Sequence, residues 1–179
     1  MSVRVLAIDP SLRRNGLCIS DGTTWLLEPK GLLGLERLSY LRDHVEEILE
    51  SYQPHVVMLE NYAHGKGNRA HQIGEWGGVL RMLLRDMGRP VVLVSPAALK
   101  TFATGNHQAD KEAVVAAMSE AAGRQFHKGG DEADAYALCA MPLAFIGGPR
   151  QLVHAPAERL QKLHKLPWPR VVREALVAA

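Results

Sequence analysis

The sequence predicts an α/β fold, a five-stranded mixed sheet flanked by helices. Three observations carry that prediction. Three short β-type segments open the chain with only loop residues between them. Two further apolar runs, Val56–Leu59 and Val91–Val94, then alternate with stretches of helical period. The opening and later runs are dense in Val, Ile and Leu, as strands covered on both faces require. A meander gives antiparallel neighbours, whereas helical crossovers return parallel strands, so the two patterns together make one mixed sheet.

The first strand runs Val3–Ile8 and delivers Asp9 at its end, where Pro10 stops the ladder because it has no N–H to donate. A carboxylate held there on rigid backbone suits a fixed ligand, although an Asx-turn would also place an aspartate at a strand end. The loop Pro10–Asn15 carries Arg13 and Arg14, and Gly16–Ser20 is the second strand. Asp21-Gly22 reads as a two-residue hairpin turn before the third strand, Thr23–Leu27. Leu35, Leu38, Leu41, Val45, Ile48, Leu49 and Tyr52 recur at helical spacing over residues 34–52, with most charges opposite. Pro54 ends that helix, and Val56–Leu59 delivers Glu60, the second carboxylate at a strand end.

Asn61–Arg69 is a loop with basic and aromatic content, including Tyr62, His64, Lys66 and Arg69. A helix from about Ala70 to Met87 follows. Its Ala70, Gly74 and Gly78 form a small-residue stripe, open to close packing on the protein's own sheet or on a second copy. After Val91–Val94, Ser95-Pro96 is an N-cap with proline at the first helical position, starting a helix to about Phe102 that Gly105 breaks. Another helix spans Asp110–Ala122, with Gly123 its stop. Gly129-Gly130 precedes the last core helix, Asp131–Met141, which Pro142 is expected to end. Residues 147–179, with four prolines and two short helical patches, read as a tail outside the core of a domain spanning 1–146.

Composition narrows the classes. At 179 residues the length suits one domain with a full core, and 47% apolar with 22% charged residues is ordinary for a globular protein. No apolar run nears the roughly 20 residues that cross a bilayer, and the N-terminus is no signal peptide. Cys18 and Cys139 form neither a disulfide framework nor a metal spacing, so buried free thiols in a reducing cytoplasm are expected. A net charge of +2 permits nucleic acid as a partner without arguing for it.

The carboxylates argue more strongly. With the first strand central, Asp9 and Glu60 share one edge of the sheet. Asp131 and Asp134 lie three apart on one helix face. The helix dipole explains Asp131 and Glu132 in the first turn, but less readily Asp134, set among Ala135, Ala137 and Leu138. Carboxylates buried together without a cation are unfavourable, and hard oxygen ligands of this kind suit Mg²⁺.

Ala7-Ile8-Asp9-Pro10-Ser11, Val57-Met58-Leu59-Glu60-Asn61 and Asp131-Glu132-Ala133-Asp134-Ala135 resemble, in order, the three acidic motifs of the RuvC-type Holliday-junction resolvases. The resemblance covers roughly residues 3–142. It implies a ribonuclease H-like fold, Asp9, Glu60, Asp131 and Asp134 as ligands of two Mg²⁺ ions, Mn²⁺ as a substitute, and a homodimer cutting branched DNA. Lys100 and Lys111 match the family's lysines, with Lys111 placed to meet the scissile phosphate. No membrane and no organic cofactor are implied. Arg13, Arg14, Tyr62, Lys66 and Arg69 leave the same sheet edge and are candidates for DNA contacts. A related nuclease acting on structured RNA, a junction binder without catalysis, and an actin-like ATPase domain are the competing readings.

Overall fold

The computed structural model describes residues 3–61, 68–127, 129–147 and 149–177, with the side chains of 68–73 and 176 outside the description. The sheet has the order β3-β2-β1-β4-β5, formed by β1 (Val5–Asp9), β2 (Asn15–Ile19), β3 (Thr24–Leu27), β4 (Val56–Glu60) and β5 (Val91–Val94). β1 is central, antiparallel to β2 and parallel to β4, and β4 is parallel to β5. The meander and the two crossovers of the sequence reading are therefore both present.

Strand alternation divides the core into two layers. Leu6, Ile8, Leu17, Val57 and Leu59 face α1 (Gly34–Tyr52) and α2 (Asn68–Asp86), meeting Leu41, Val45, Leu49, Trp76, Leu80 and Leu84. Val5, Ala7, Cys18, Val56, Met58, Val92 and Val94 face the other side. There they meet α3 (Pro96–Thr104), α4 (Lys111–Ala122) and α5 (Asp131–Ile146). The caps are those the sequence indicates: Ser95 Oγ accepts from Ala98 N–H at 3.2 Å and Asp110 Oδ1 from Ala113 N–H at 2.8 Å. Cys18 and Cys139 are both buried free thiols. Among the described residues no helix is long and apolar enough to cross a membrane.

Three local expectations are corrected. The β2–β3 turn is not a two-residue type I′ turn, since only Gly22 has positive φ (87°) and Gly22 N–H bonds to Ile19 O at 2.9 Å. The turn thus runs through Ser20 and Asp21, with glycine taking the left-handed position that follows. Pro142 does not end α5, which continues to Ile146. The proline costs one backbone bond, but Leu143 and Ala144 beyond it are buried in the core, and that packing outweighs the loss.

The tail, finally, is not outside the core. It forms α6 (Ala157–Leu163) and α7 (Arg170–Val177), and its Val153, Leu163, Trp168 and Val172 belong to the α5-side layer. Trp168 stacks on Phe145 with ring centroids 4.8 Å apart, and Arg159 donates to the carbonyls of Phe102 and Ala103 at the end of α3.

Candidate metal and nucleic-acid site

Strand period and register assemble the site. Val5 and Ala7 point into the α5-side layer, so Asp9, two residues on, projects to the same face at the strand's end. Val56 and Met58 do the same for Glu60. Ile8 pairs with Leu59, which sets Asp9 beside Glu60 one step further along two parallel strands. On the other flank Asp9 pairs with Gly16 of β2. Directly opposed residues share a face, so a side chain at 16 would also point at α5. A Cβ there would lie 1.9 Å from the Asp131 carbonyl oxygen, and only glycine lets the start of α5 sit down on the strand pair. Asp134, one turn into that helix, then reaches the strand-end carboxylates. Asp9, Glu60 and Asp134 offer oxygens that all lie within 4.8 Å of one another.

Three carboxyl groups this close and this buried repel one another's charge. Burial pushes Asp9 well above its ordinary range, and the neighbouring Glu60 charge, a hydrogen bond with Glu60, and Asp131 add to the rise. Burial likewise raises Glu60 to about 7; the hydrogen bond with Asp9 lowers it, and the Asp134 charge raises it. Both strand carboxyls are thus shifted towards the protonated form, burial being the first cause for each. Asp134 is raised to about 7, first by burial and then by the Asp9 charge. Burial disfavours the charged form of Lys111, but its hydrogen bond to Asp131 and the surrounding carboxylates raise its pKa overall.

Asp131 stands apart from the triangle. Arg14 Nε and Nη2 donate to its Oδ2 at 2.8 and 2.6 Å, and Lys111 Nζ donates to its Oδ1 at 3.1 Å. Lys111 Nζ is 4.0 Å from Asp134 as well, which sets the ammonium at the mouth of the triangle. Lys100 lies near enough for its charge to lower the pKa of both Glu60 and Asp134. Glu132 turns away and accepts from Thr24 Oγ1 at 2.8 Å. Arg13 is exposed, as is His107. Tyr62, His64 and Lys66 lie outside the described residues, as does the side chain of Arg69 in the first turn of α2.

Two contributors escaped the sequence reading. Gly16 was open to inference, because an isolated glycine inside a strand pattern signals a close backbone approach. Asn15 is fully buried in β2, its Oδ1 accepting from Ser11 N–H at 3.0 Å and from the Trp76 indole N–H at 2.8 Å. It fixes the loop leaving Asp9, and nothing in the local sequence announces that partner 61 residues away.

A five-stranded sheet of this order, with helices on both faces and carboxylates gathered at the ends of its two central parallel strands, defines a ribonuclease H-like fold with an acidic centre. Known proteins place it more narrowly. The profile of the family described as crossover junction endodeoxyribonuclease RuvC matches residues 5–141. A crossover junction endodeoxyribonuclease RuvC from Ruegeria pomeroyi is 30% identical over 154 residues, covering 76% of this chain and 88% of that protein. One from Nocardia farcinica is 31% identical over 148 residues, covering 76% and 78%. The chain belongs to the RuvC family of crossover junction endodeoxyribonucleases. Among solved structures, Thermus thermophilus RuvC in complex with Holliday junction substrate superposes with a TM-score of 0.66 at 22% identity, covering 78% of this chain and 93% of that one. The yeast mitochondrial Holliday junction resolvase Ydc2 superposes at 0.54 with 13% identity, covering 99% and 86%.

Proposed function

We infer that this protein is an endonuclease that resolves Holliday junctions, hydrolysing phosphodiester bonds of branched DNA at the Asp9–Glu60–Asp134 triangle. The observation that carries the reading is that triangle itself, three half-buried carboxylates with oxygens within 4.8 Å of one another in a chain of the RuvC family. An all-carboxylate donor set suits a hard divalent cation, and Mg²⁺ is the ion proposed, with Mn²⁺ as a substitute. Asp9, Glu60 and Asp134 would hold two such ions, with Asp131 the fourth carboxylate beside them. Ions bound there supply the Lewis acidity that favours attack by water and offsets charge on the departing oxygen.

The chain's own residues do the rest. Burial and mutual repulsion raise Glu60 and Asp134 to about 7 and push Asp9 upward too, so a bound cation would compete with protons for these groups. Lys111, a half-exposed ammonium beside Asp131 and Asp134, is placed to meet the scissile phosphate, and Lys100 adds positive charge to the same approach. Arg13, exposed on the β1–β2 loop, is free to follow the DNA backbone, and Tyr62, Lys66 and Arg69 are proposed to do so from the β4–α2 segment. The protein is proposed to act as a homodimer meeting through α2. A Cβ at Gly74 or Gly78 would meet nothing within 4 Å among the described residues, so close packing within one copy does not account for these two glycines.

The test is direct. Wild-type protein with Mg²⁺ is incubated with labelled four-way, flap, duplex and structured-RNA substrates, beside Asp9→Asn. Paired symmetric cuts in the four-way junction alone, absent in Asp9→Asn although binding persists, are expected. Preferential cutting of RNA, or metal-dependent activity surviving in Asp9→Asn, overturns the reading.

A further inference from the structure

Arg14 enters the sequence as one basic loop residue among several suited to a DNA backbone, but the fold commits it elsewhere. Two of its N–H groups converge on Asp131 Oδ2, which leaves Oδ1 to Lys111. Asp131 is thereby gripped on both oxygens by cations from two different elements, the β1–β2 loop and the start of α4. The pair is largely covered, with side-chain exposure of 26% for Arg14 and 15% for Asp131. Arg14 Nη2 also meets His127 Nδ1 at 3.3 Å. That nitrogen also accepts from Gly129 N–H at 2.9 Å, so it carries no proton and its single lone pair is shared between the amide and the more distant guanidinium.

The surroundings are cut to fit this arrangement. A Cβ at Gly129 would lie 1.6 Å from Arg14 Nη2, and one at Gly130 would lie 2.2 Å from Lys111 Cε. The loop delivering Arg14 is pinned by its neighbour Asn15, held between Ser11 N–H and the Trp76 indole. A guanidinium whose Nε and Nη2 both grip a carboxylate, with Nη2 also beside a ring nitrogen, is preorganised in a way a lone lysine on its flexible stem is not.

We propose that Arg14 is a positioning residue of the cleavage reaction, holding Asp131 so that Asp131 in turn sets the Lys111 ammonium at the mouth of the carboxylate triangle. It is not a contact to the DNA backbone. The proposal rests on the reading of this site as a junction-cleaving centre and adds to it a residue that touches neither phosphate nor metal.

Four variants test it: Arg14→Leu, Arg14→Lys, Gly129→Ala, and Arg14→Leu combined with Lys111→Ala. Each is measured for junction affinity in EDTA, for salt dependence of that affinity, for Tm, and for kcat at saturating junction and Mg²⁺. Arg14→Leu should lower kcat on the order of tenfold to a hundredfold, the scale of a misplaced group, while junction affinity and its salt slope hold. Arg14→Lys should recover part of the loss. Gly129→Ala keeps every charge but displaces the guanidinium, so it should fall as Arg14→Leu does. The double variant should be no slower than Lys111→Ala alone, because the two act as a unit.

Weakened binding with unchanged kcat, and a salt slope reduced by about one, would make Arg14 an ordinary phosphate contact. Losses that multiply in the double variant would break the link to Lys111. Should Arg14→Leu unfold, the Arg14→Lys and Gly129→Ala results decide alone. A wild-type protein that cuts no junction with Mg²⁺ or Mn²⁺ sinks the functional reading, whereas an active wild type with an equally fast Arg14→Leu sinks only the present proposal.

Discussion

Alanine at Gly16 adds one methyl group where two backbones nearly touch. Its Cβ would stand 1.9 Å from the Asp131 carbonyl oxygen, 2.4 Å from that carbonyl carbon and 3.1 Å from Glu132 N. A carbon–oxygen contact settles near 3.3 Å, so the two elements must part by about 1.4 Å. Neither side yields by a rotamer change, since all three atoms are main chain. β2 is paired on both edges and α5 is buried along most of its length, which leaves rigid displacement as the response. Overpacking of this kind costs about 1–3 kcal/mol. At about 2–4 °C per kcal/mol for a chain of this size, Tm should fall by roughly 2–12 °C.

The functional loss should exceed the loss of stability. Lifting the start of α5 carries Asp131 and Asp134 away from Asp9 and Glu60, and an ångström of misplacement can cost on the order of a hundredfold in rate. Differential scanning calorimetry and a junction-cleavage time course on the same Gly16→Ala preparation provide the check. A Tm within about 1 °C of wild type together with undiminished cleavage would show that α5 is not seated on β2 as described.

Three further outcomes follow from the site and the α2 surface. Glu60 and Asp134, raised to about 7 from 4.5 and 3.8, bind protons in the fold that the unfolded chain has released. Their contribution to stability is full below about pH 4 and lost as pH rises through about 7. Tm in EDTA should fall across that window, and Mg²⁺ should raise Tm more at about pH 8 than at about pH 5.5; an equal gain at both would separate metal binding from these groups. Lys111→Ala should slow cleavage by on the order of a hundredfold while junction affinity changes little, and equal losses in both would reduce Lys111 to a binding contact. Gly78→Leu should leave the monomer at least as stable, because leucine is the better helix former by about 1 kcal/mol and its Cβ would meet nothing within 4 Å among the described residues. It should shift the protein towards monomer in light scattering, and a variant that stays dimeric and makes paired cuts would refute the α2 interface.

The elements that position the carboxylates were legible because each rests on a short-range rule. The near-continuous apolar runs before Asp9 and Glu60 are buried strands, and the Ser95 and Asp110 caps and the Gly105 and Gly123 stops lie where chain chemistry requires them. Misreadings arose where tertiary packing overrode such a rule. Pro142 breaks isolated helices, yet Leu143 and Ala144 are buried beyond it. The proline-rich composition of the tail suggested an exterior segment, yet Trp168 and Val172 anchor it in the core. Four acidic residues could be named from their motifs, but not their division into a triangle and a separately held Asp131. That division depends on Arg14, 117 residues earlier in the chain, whose reach is set by a loop trajectory that no local pattern encodes.

The same division explains how four acids can sit together in a folded protein. Asp131 is offset by two protein cations and stays in place whether or not anything else binds. Among the described residues no cation stands within ion-pair distance of Asp9 or Glu60, and Lys111, at 4.0 Å, just reaches that distance from Asp134 while Lys100 acts from further off. Burial and mutual repulsion raise the carboxyl pKa values of the triangle, at a cost to the fold that grows as the pH climbs. A divalent cation bound there would remove that cost by taking the place of protons, so relief of the repulsion would contribute to its binding. Neutralising the triangle with a resident arginine would relieve the fold and close the site to metal. Arg14 instead pairs with Asp131, outside the triangle, and so helps hold the start of α5 while leaving the proposed metal position open.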